Sequence, residues 1–235
     1  MELIGAAGVK KSFGERQVLA DCSISVKAGE VVLLLGPSGY GKSTFLEILA
    51  GIGQPDSGSV RVQGEASFLF QDDALIPWLT AAGNLSYVLP RGWSRKTRAD
   101  GISRWLSLFS LDEDDKPPLM SGGMRRRLSL ARTFILERPV LILDEPFAFL
   151  DRHWHSQVAS LLNGEAEKGR CAILAGHSVN PELLEECGKR LRVLPLKESP
   201  LSIPADLGRE ADASAGDAER PRSLRKEGED DGGSG

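Results

Sequence analysis

Residues 31–50 constrain the fold more than any other stretch of the chain. Val31-Val32-Leu33-Leu34-Leu35 is a continuous apolar run of the kind a strand buried on both faces requires. Gly36-Pro37-Ser38-Gly39-Tyr40-Gly41-Lys42-Ser43-Thr44 follows and fits G-x-x-x-x-G-K-[ST], the P-loop. Thr44 to Ala50 then reads as a helix closed by Gly51. Strand, glycine-rich loop and helix is the order in which backbone N–H groups can face a phosphate at the positive end of a helix. In that arrangement Lys42 reaches the β- and γ-phosphates and the Ser43 hydroxyl is available to Mg²⁺. Gly36, Pro37, Ser38, Gly39, Tyr40, Gly41, Lys42, Ser43 and Thr44 are therefore the expected nucleotide-binding residues.

Composition places the chain among ordinary cytosolic α/β proteins. At 235 residues, 41% of them hydrophobic, one well-filled domain is expected. A net charge of −4 gives no global attraction to nucleic acid. No apolar run approaches membrane-spanning length, and no secretory leader is visible. Cys22, Cys171 and Cys187 form no CxxC pair or zinc spacing. Cys22 and Cys171 lie in apolar runs and read as small buried thiols. A reducing compartment fits best.

Further along, Gly14-Glu15 reads as a hairpin turn, and 58–70 as two strands. Ile102, Trp105, Leu106 and Phe109 recur at helical spacing, and a second helix follows Gly122-Gly123. Val140 to Leu143 is a buried strand ending at Asp144-Glu145-Pro146. A helix covers 152–168, Cys171 to Ala175 is a strand, Pro181 opens a short helix, and 191–196 is the last strand-like run. Alternating strands and helices imply a largely parallel sheet. From about Pro204 large apolar side chains almost vanish. Residues 205–235 are expected to be a disordered polar tail beyond a domain spanning 1–204.

Three further segments resemble the ABC ATPases. Leu119-Met120-Ser121-Gly122-Gly123-Met124 is similar to their signature sequence. Leu141-Ile142-Leu143-Asp144-Glu145-Pro146 resembles their Walker B strand, and His177 falls where their switch histidine belongs. Phe68 to Thr80, with Gln71 and the Pro77-Trp78 step, and Met124 after the signature glycines resemble the nitrate/sulfonate/taurine importer ATPases.

The resemblance implies a P-loop NTPase of the α/β class: a RecA-like core with a mainly parallel sheet, a small antiparallel β portion, and an inserted helical signature subdomain at about 73–137. It implies ATP and Mg²⁺ as cofactors. Ser43, Gln71 and Asp144 would serve the metal, Glu145 would be the general base, His177 would sense the γ-phosphate, and Phe13 would stack on adenine. Ser121, Gly122, Gly123 and Met124 would cover ATP held by a second ATPase subunit, identical or paralogous. Further implied partners are a transmembrane permease and an extracytoplasmic solute-binding protein. The place of work would be the cytoplasmic face of the membrane. The competing expectation is a soluble ABC ATPase acting on nucleic acid or translation.

Some residues carry plainer readings. Arg125-Arg126-Arg127 reads as a solvated helix face flanking the phosphate site, with Arg126 replacing a common Gln. His153 and His155 read as solvated helix residues, and Trp105 as core. Trp78 is either core or part of a groove for a membrane subunit. Tyr40, Phe149 and Ser178 depart from the usual family residues. The stretch between Lys42 and Gln71 is short, which implies a trimmed β portion.

Overall fold

The computed structural model describes residues 1–207. A second sheet and a layer of helices pack against a central parallel sheet. The chain opens with β1 (Glu2–Phe13) and β2 (Arg16–Lys27), an antiparallel hairpin with Phe13 paired to Arg16 at its tip. β3 (Val31–Leu35) leads into α1 (Lys42–Leu49). β4 (Ser57–Val62) returns to pair with β1, and β5 (Ala66–Leu69) enters the central sheet. The helical insertion comprises α2 (Ala81–Val88), α3 (Arg95–Leu108) and α4 (Gly122–Phe134). β6 (Val140–Asp144), α5 (Arg152–Glu167), β7 (Cys171–Gly176), α6 (Pro181–Cys187) and β8 (Leu191–Pro195) follow. A short β9 (Leu201–Ile203) ends the described chain's regular structure.

The central sheet has the order β5-β6-β7-β3-β8 and is parallel throughout. Its inner strands β6, β7 and β3 are buried on both faces, which is why they read as unbroken apolar runs. Val31, Leu33, Leu141, Leu143, Ala172 and Leu174 face the helices α2 to α6. Their alternates Val32, Leu34, Val140, Ile142, Cys171 and Ile173 face α1 and the second sheet. That second sheet, β4-β1-β2-β9, is antiparallel except for β9, which runs parallel to β2. β9 is a strand the sequence pattern did not announce, because three residues are too few to show a period.

Trp105 is core, as its helical spacing suggested. It stacks on Phe109 and Phe134, and Phe109 continues the stack to Trp154 on α5. This run of rings joins the helical insertion to the main body. All three cysteines are buried, and burial pushes the Cys22 and Cys171 thiols up to about 12. The tail expected to be disordered, 205–235, lies outside the described residues from 208 onward.

Leu201 and Ile203 are 0% and 3% exposed, and the Leu201 carbonyl accepts a hydrogen bond from Cys22 Sγ at 3.2 Å. Burying two such side chains contributes about 1.5–3 kcal/mol each. A chain ending at Pro204 should therefore melt as the full chain does. One ending at Pro200 should melt several degrees lower, by calorimetry. Equal melting temperatures for the two truncations would show that β9 contributes nothing.

Candidate functional site

The site is built where the parallel strands end. Backbone bonds tie three strand ends together: Gly36 N–H donates to Gly176 O at 3.2 Å, and Glu145 N–H to Ala175 O at 3.2 Å. The loop after β3, the acidic pair after β6 and the histidine after β7 therefore share one level. A cavity of about 280 Å³ opens there, lined by Phe13, Ser38, Gly39, Gly41, Lys42, Ser43, Thr44, Gln71, Glu145 and His177. Gly36, Pro37, Tyr40 and Asp144 are not part of this lining.

Loop geometry follows from its glycines. Gly41 has φ +90°, and a Cβ there would meet Val18 at 2.9 Å, so the turn into α1 admits only glycine. The first turn of α1 carries no acidic residue, which leaves its positive end free for an anion. Lys42 is 5% exposed, and its Nζ donates to Gly36 O at 2.6 Å and Pro37 O at 2.8 Å. Burial pulls its pKa down, opposed by the Glu145 and Asp144 charges.

The acidic pair divides into two environments. Asp144 is buried, and its Oδ1 has no hydrogen-bond partner. Burial pushes the Asp144 carboxyl up, against the Ser43 hydroxyl and the Lys42 charge. Glu145 reaches the cavity, where its carboxylate accepts a hydrogen bond from His177 Nε2. Its backbone has φ 50°, a left-handed conformation that costs a non-glycine residue about 1–2 kcal/mol.

Ser121 to Met124 lie outside the cavity. Ser121 caps α4, its Oγ accepting from Met124 N–H at 3.2 Å. Phe149, φ 61° and 76% exposed, lies against Gly122 and Gly123. Ser121 is exposed, and none of Ser121 to Met124 lines the cavity at the phosphate loop of the same chain.

Three readings need correction. Arg126 is not on a solvated face: it is 0% exposed and donates to four backbone carbonyls. Arg127 stacks over the Trp154 ring at 4.5 Å. Helix α4 packs against the end of the central sheet here, so Arg126 and Arg127 of the run that read as solvent-facing are packed, while the Arg125 side chain stays 42% exposed. His155 is half-buried with Nε2 3.1 Å from Phe147 O, rather than solvated. Arg16 also lines the cavity and was not anticipated. The hairpin turn at Gly14-Glu15, which sets Arg16 opposite Phe13, was the signal that could have found it. Trp78 is 75% exposed, which excludes the core reading.

A family model described as ABC transporter matches residues 19–148. An aliphatic sulfonates import ATP-binding protein, SsuB 2 of Pseudomonas syringae pv. tomato, is 39% identical over 177 residues, covering 74% of this chain and 75% of that one. A taurine import ATP-binding protein, TauB of Pseudomonas aeruginosa, is 38% identical over 199 residues, covering 78% and 76%. Among solved structures, a dimeric bacterial ABC transporter cassette superposes with a TM-score of 0.73 at 26% identity, covering 82% of this chain and 94% of that one.

Because burial opposes the Asp144 charge, a neutral isostere relieves the folded state. The raised carboxyl destabilises the fold as pH rises from the unfolded value of 3.8 through the higher folded one. Asp144→Asn should raise the melting temperature of the nucleotide-free protein at pH 7, by about 2–4 °C per kcal/mol relieved. The gap should shrink toward acid pH. A lower melting temperature for the variant at pH 7 would show that partners, not desolvation, dominate at Asp144.

Proposed function

This chain belongs to the ABC transporter family, and from that premise we propose how its residues work as the ATP-hydrolysing subunit of a membrane importer for a small solute of the nitrate/sulfonate/taurine class. The observation that carries the reading is the cavity joining the P-loop to Gln71, Glu145 and His177. The relatives named for sulfonate and taurine import favour this over an ATPase acting on nucleic acid or translation.

Phosphoryl transfer to water needs positioning and charge stabilisation more than covalent chemistry. The P-loop amides and Lys42 neutralise phosphate oxygens. Phe13, 58% exposed at the hairpin tip, offers a ring on which adenine can stack, with Arg16 beside it. Glu145 takes the proton of the attacking water. His177, bonded to that carboxylate, orients it and contacts the γ-phosphate.

Ser43, Gln71 and Asp144 are a hydroxyl, an amide and a carboxylate, the hard oxygen donors that suit Mg²⁺. The orphaned Asp144 Oδ1 fits that assignment. The ion, when bound, supplies charge neutralisation for the phosphates.

Ser121, Gly122, Gly123 and Met124 cover ATP held by a second chain, so hydrolysis requires two chains, alike or paralogous. No helix among the described residues is long and apolar enough to cross a membrane. The chain therefore docks on a separate permease at the cytoplasmic face of the membrane, with an extracytoplasmic solute-binding protein in the same system. Trp78, exposed on the segment after Gln71, would contact the permease in this reading, and its exposure supports that role.

Glu145→Gln should retain MgATP binding, collect as an ATP-bound dimer, and release phosphate at least about 100-fold more slowly. Release at the normal rate removes Glu145 from the role of base. Trp78→Ala should leave the isolated chain's melting temperature and ATP hydrolysis unchanged, yet lower solute uptake in vesicles reconstituted with the permease. Unfolding of the isolated variant would return Trp78 to a structural role.

A further inference from the structure

Helix α4 carries Arg126, Ser129 and Arg132 at a spacing of three, and all three grip the chain that leaves β5. Ser129 Oγ donates to Asp73 O at 2.9 Å. Arg132 donates to Ala74 O at 2.8 Å and Asp73 O at 2.9 Å. Arg126 does more than its neighbours. Its Nη1 donates to Phe70 O at 2.8 Å and Gln71 O at 3.3 Å, while Nη2 donates to Asp144 O at 2.5 Å and Glu145 O at 2.6 Å.

One nitrogen thus serves the segment that bears Gln71, and the other serves the segment that bears Glu145. The carbonyls of two separate loops converge on one planar cation, where without it their dipoles would repel. A guanidinium can do this because its donors diverge from a rigid fork. An ammonium offers a single point, and an amide a single nitrogen. The position is one where the resembled family commonly carries Gln. Glu145 is also held in the left-handed conformation that a glutamate rarely adopts, and strained backbone of this kind persists only where its surroundings hold it.

We propose that Arg126 is a positioning residue for hydrolysis. Reaching from the helical insertion, it fixes the backbones of Gln71 and Glu145 relative to each other, so that amide and carboxylate address the same nucleotide together. Arg126 touches no substrate and acts through Glu145. This rests on the reading of Glu145 as the base.

The test compares steady-state ATP hydrolysis of full-length variants. Arg126→Met should lower kcat at least tenfold while the KM for ATP stays within twofold of normal. Arg126→Lys, which keeps the charge and loses the fork, should lower kcat at least threefold. Arg132→Gln breaks the same helix-to-loop stitching without reaching Glu145. It should lower the melting temperature yet leave kcat within twofold. In a Glu145→Gln background, Arg126→Met should slow residual hydrolysis no further.

Normal kcat in Arg126→Met, or a raised KM at normal kcat, overturns the proposal. So does a loss of kcat in Arg132→Gln that matches that in Arg126→Met. If Arg126→Met does not fold, Arg126→Lys decides alone, and normal kcat there overturns the fork. Normal turnover by Glu145→Gln instead overturns the reading of the base, which separates the two failures.

Discussion

The parallel pairing of β3, β6 and β7 is the constraint on which the site depends. Leu35 pairs with Gly176, and Asp144 with Ala175, so the three strands end at one level. Loops that leave the carboxyl ends of parallel strands open onto a common crevice. The phosphate loop, Glu145 and His177, distant in sequence, meet there because of register alone. A slip of one residue would exchange the two apolar faces of a strand, setting the β7 side chains Ala172 and Leu174, which face the helices, against α1.

Helix α4 then ties the inserted helices to that crevice. Its Phe134 joins an aromatic run from Trp105 and Phe109 at α3 to Trp154 on α5, and its arginines hold loop carbonyls. Burial opposes the charge of Lys42, Asp144 and Arg126 alike. Each burial is tolerated because opposite charge or backbone dipoles converge on the group, and Asp144 keeps one oxygen without a partner. Polar groups desolvated at one place, and aimed at a cavity, mark a site rather than a stabilising core.

What could be read from the chain was what local sequence determines. Val31 to Leu35 and Val140 to Leu143 announce buried strands because both their faces must be apolar. Gly41-Lys42-Ser43 announces a loop because only glycine can make that turn. The fold class followed from their alternation with helices. What could not be read was set by contacts distant in sequence. Arg126 lies in a run of three arginines that resembles a solvated helix face, and its burial depends on α4 packing against strands joined only in three dimensions. β9 is three residues long, and Leu201 and Ile203 are buried only because β2 lies beside them. Phe13 and Gln71 were placed by resemblance, since neither carries a local signal, and the cavity brings both to the phosphate loop.

The central claim is that one nucleotide is enclosed by the strand-end cavity of one chain and the α4 start of another. Photocleavage with orthovanadate, trapped with MgADP in place of the γ-phosphate, tests this directly, because light cuts the backbone next to the bound vanadate. The account predicts two sets of fragments, one cut within the loop from Gly36 to Ser43 and one at Ser121 to Gly123. Cleavage at the loop alone, with the dimer intact, would contradict a site shared between two chains.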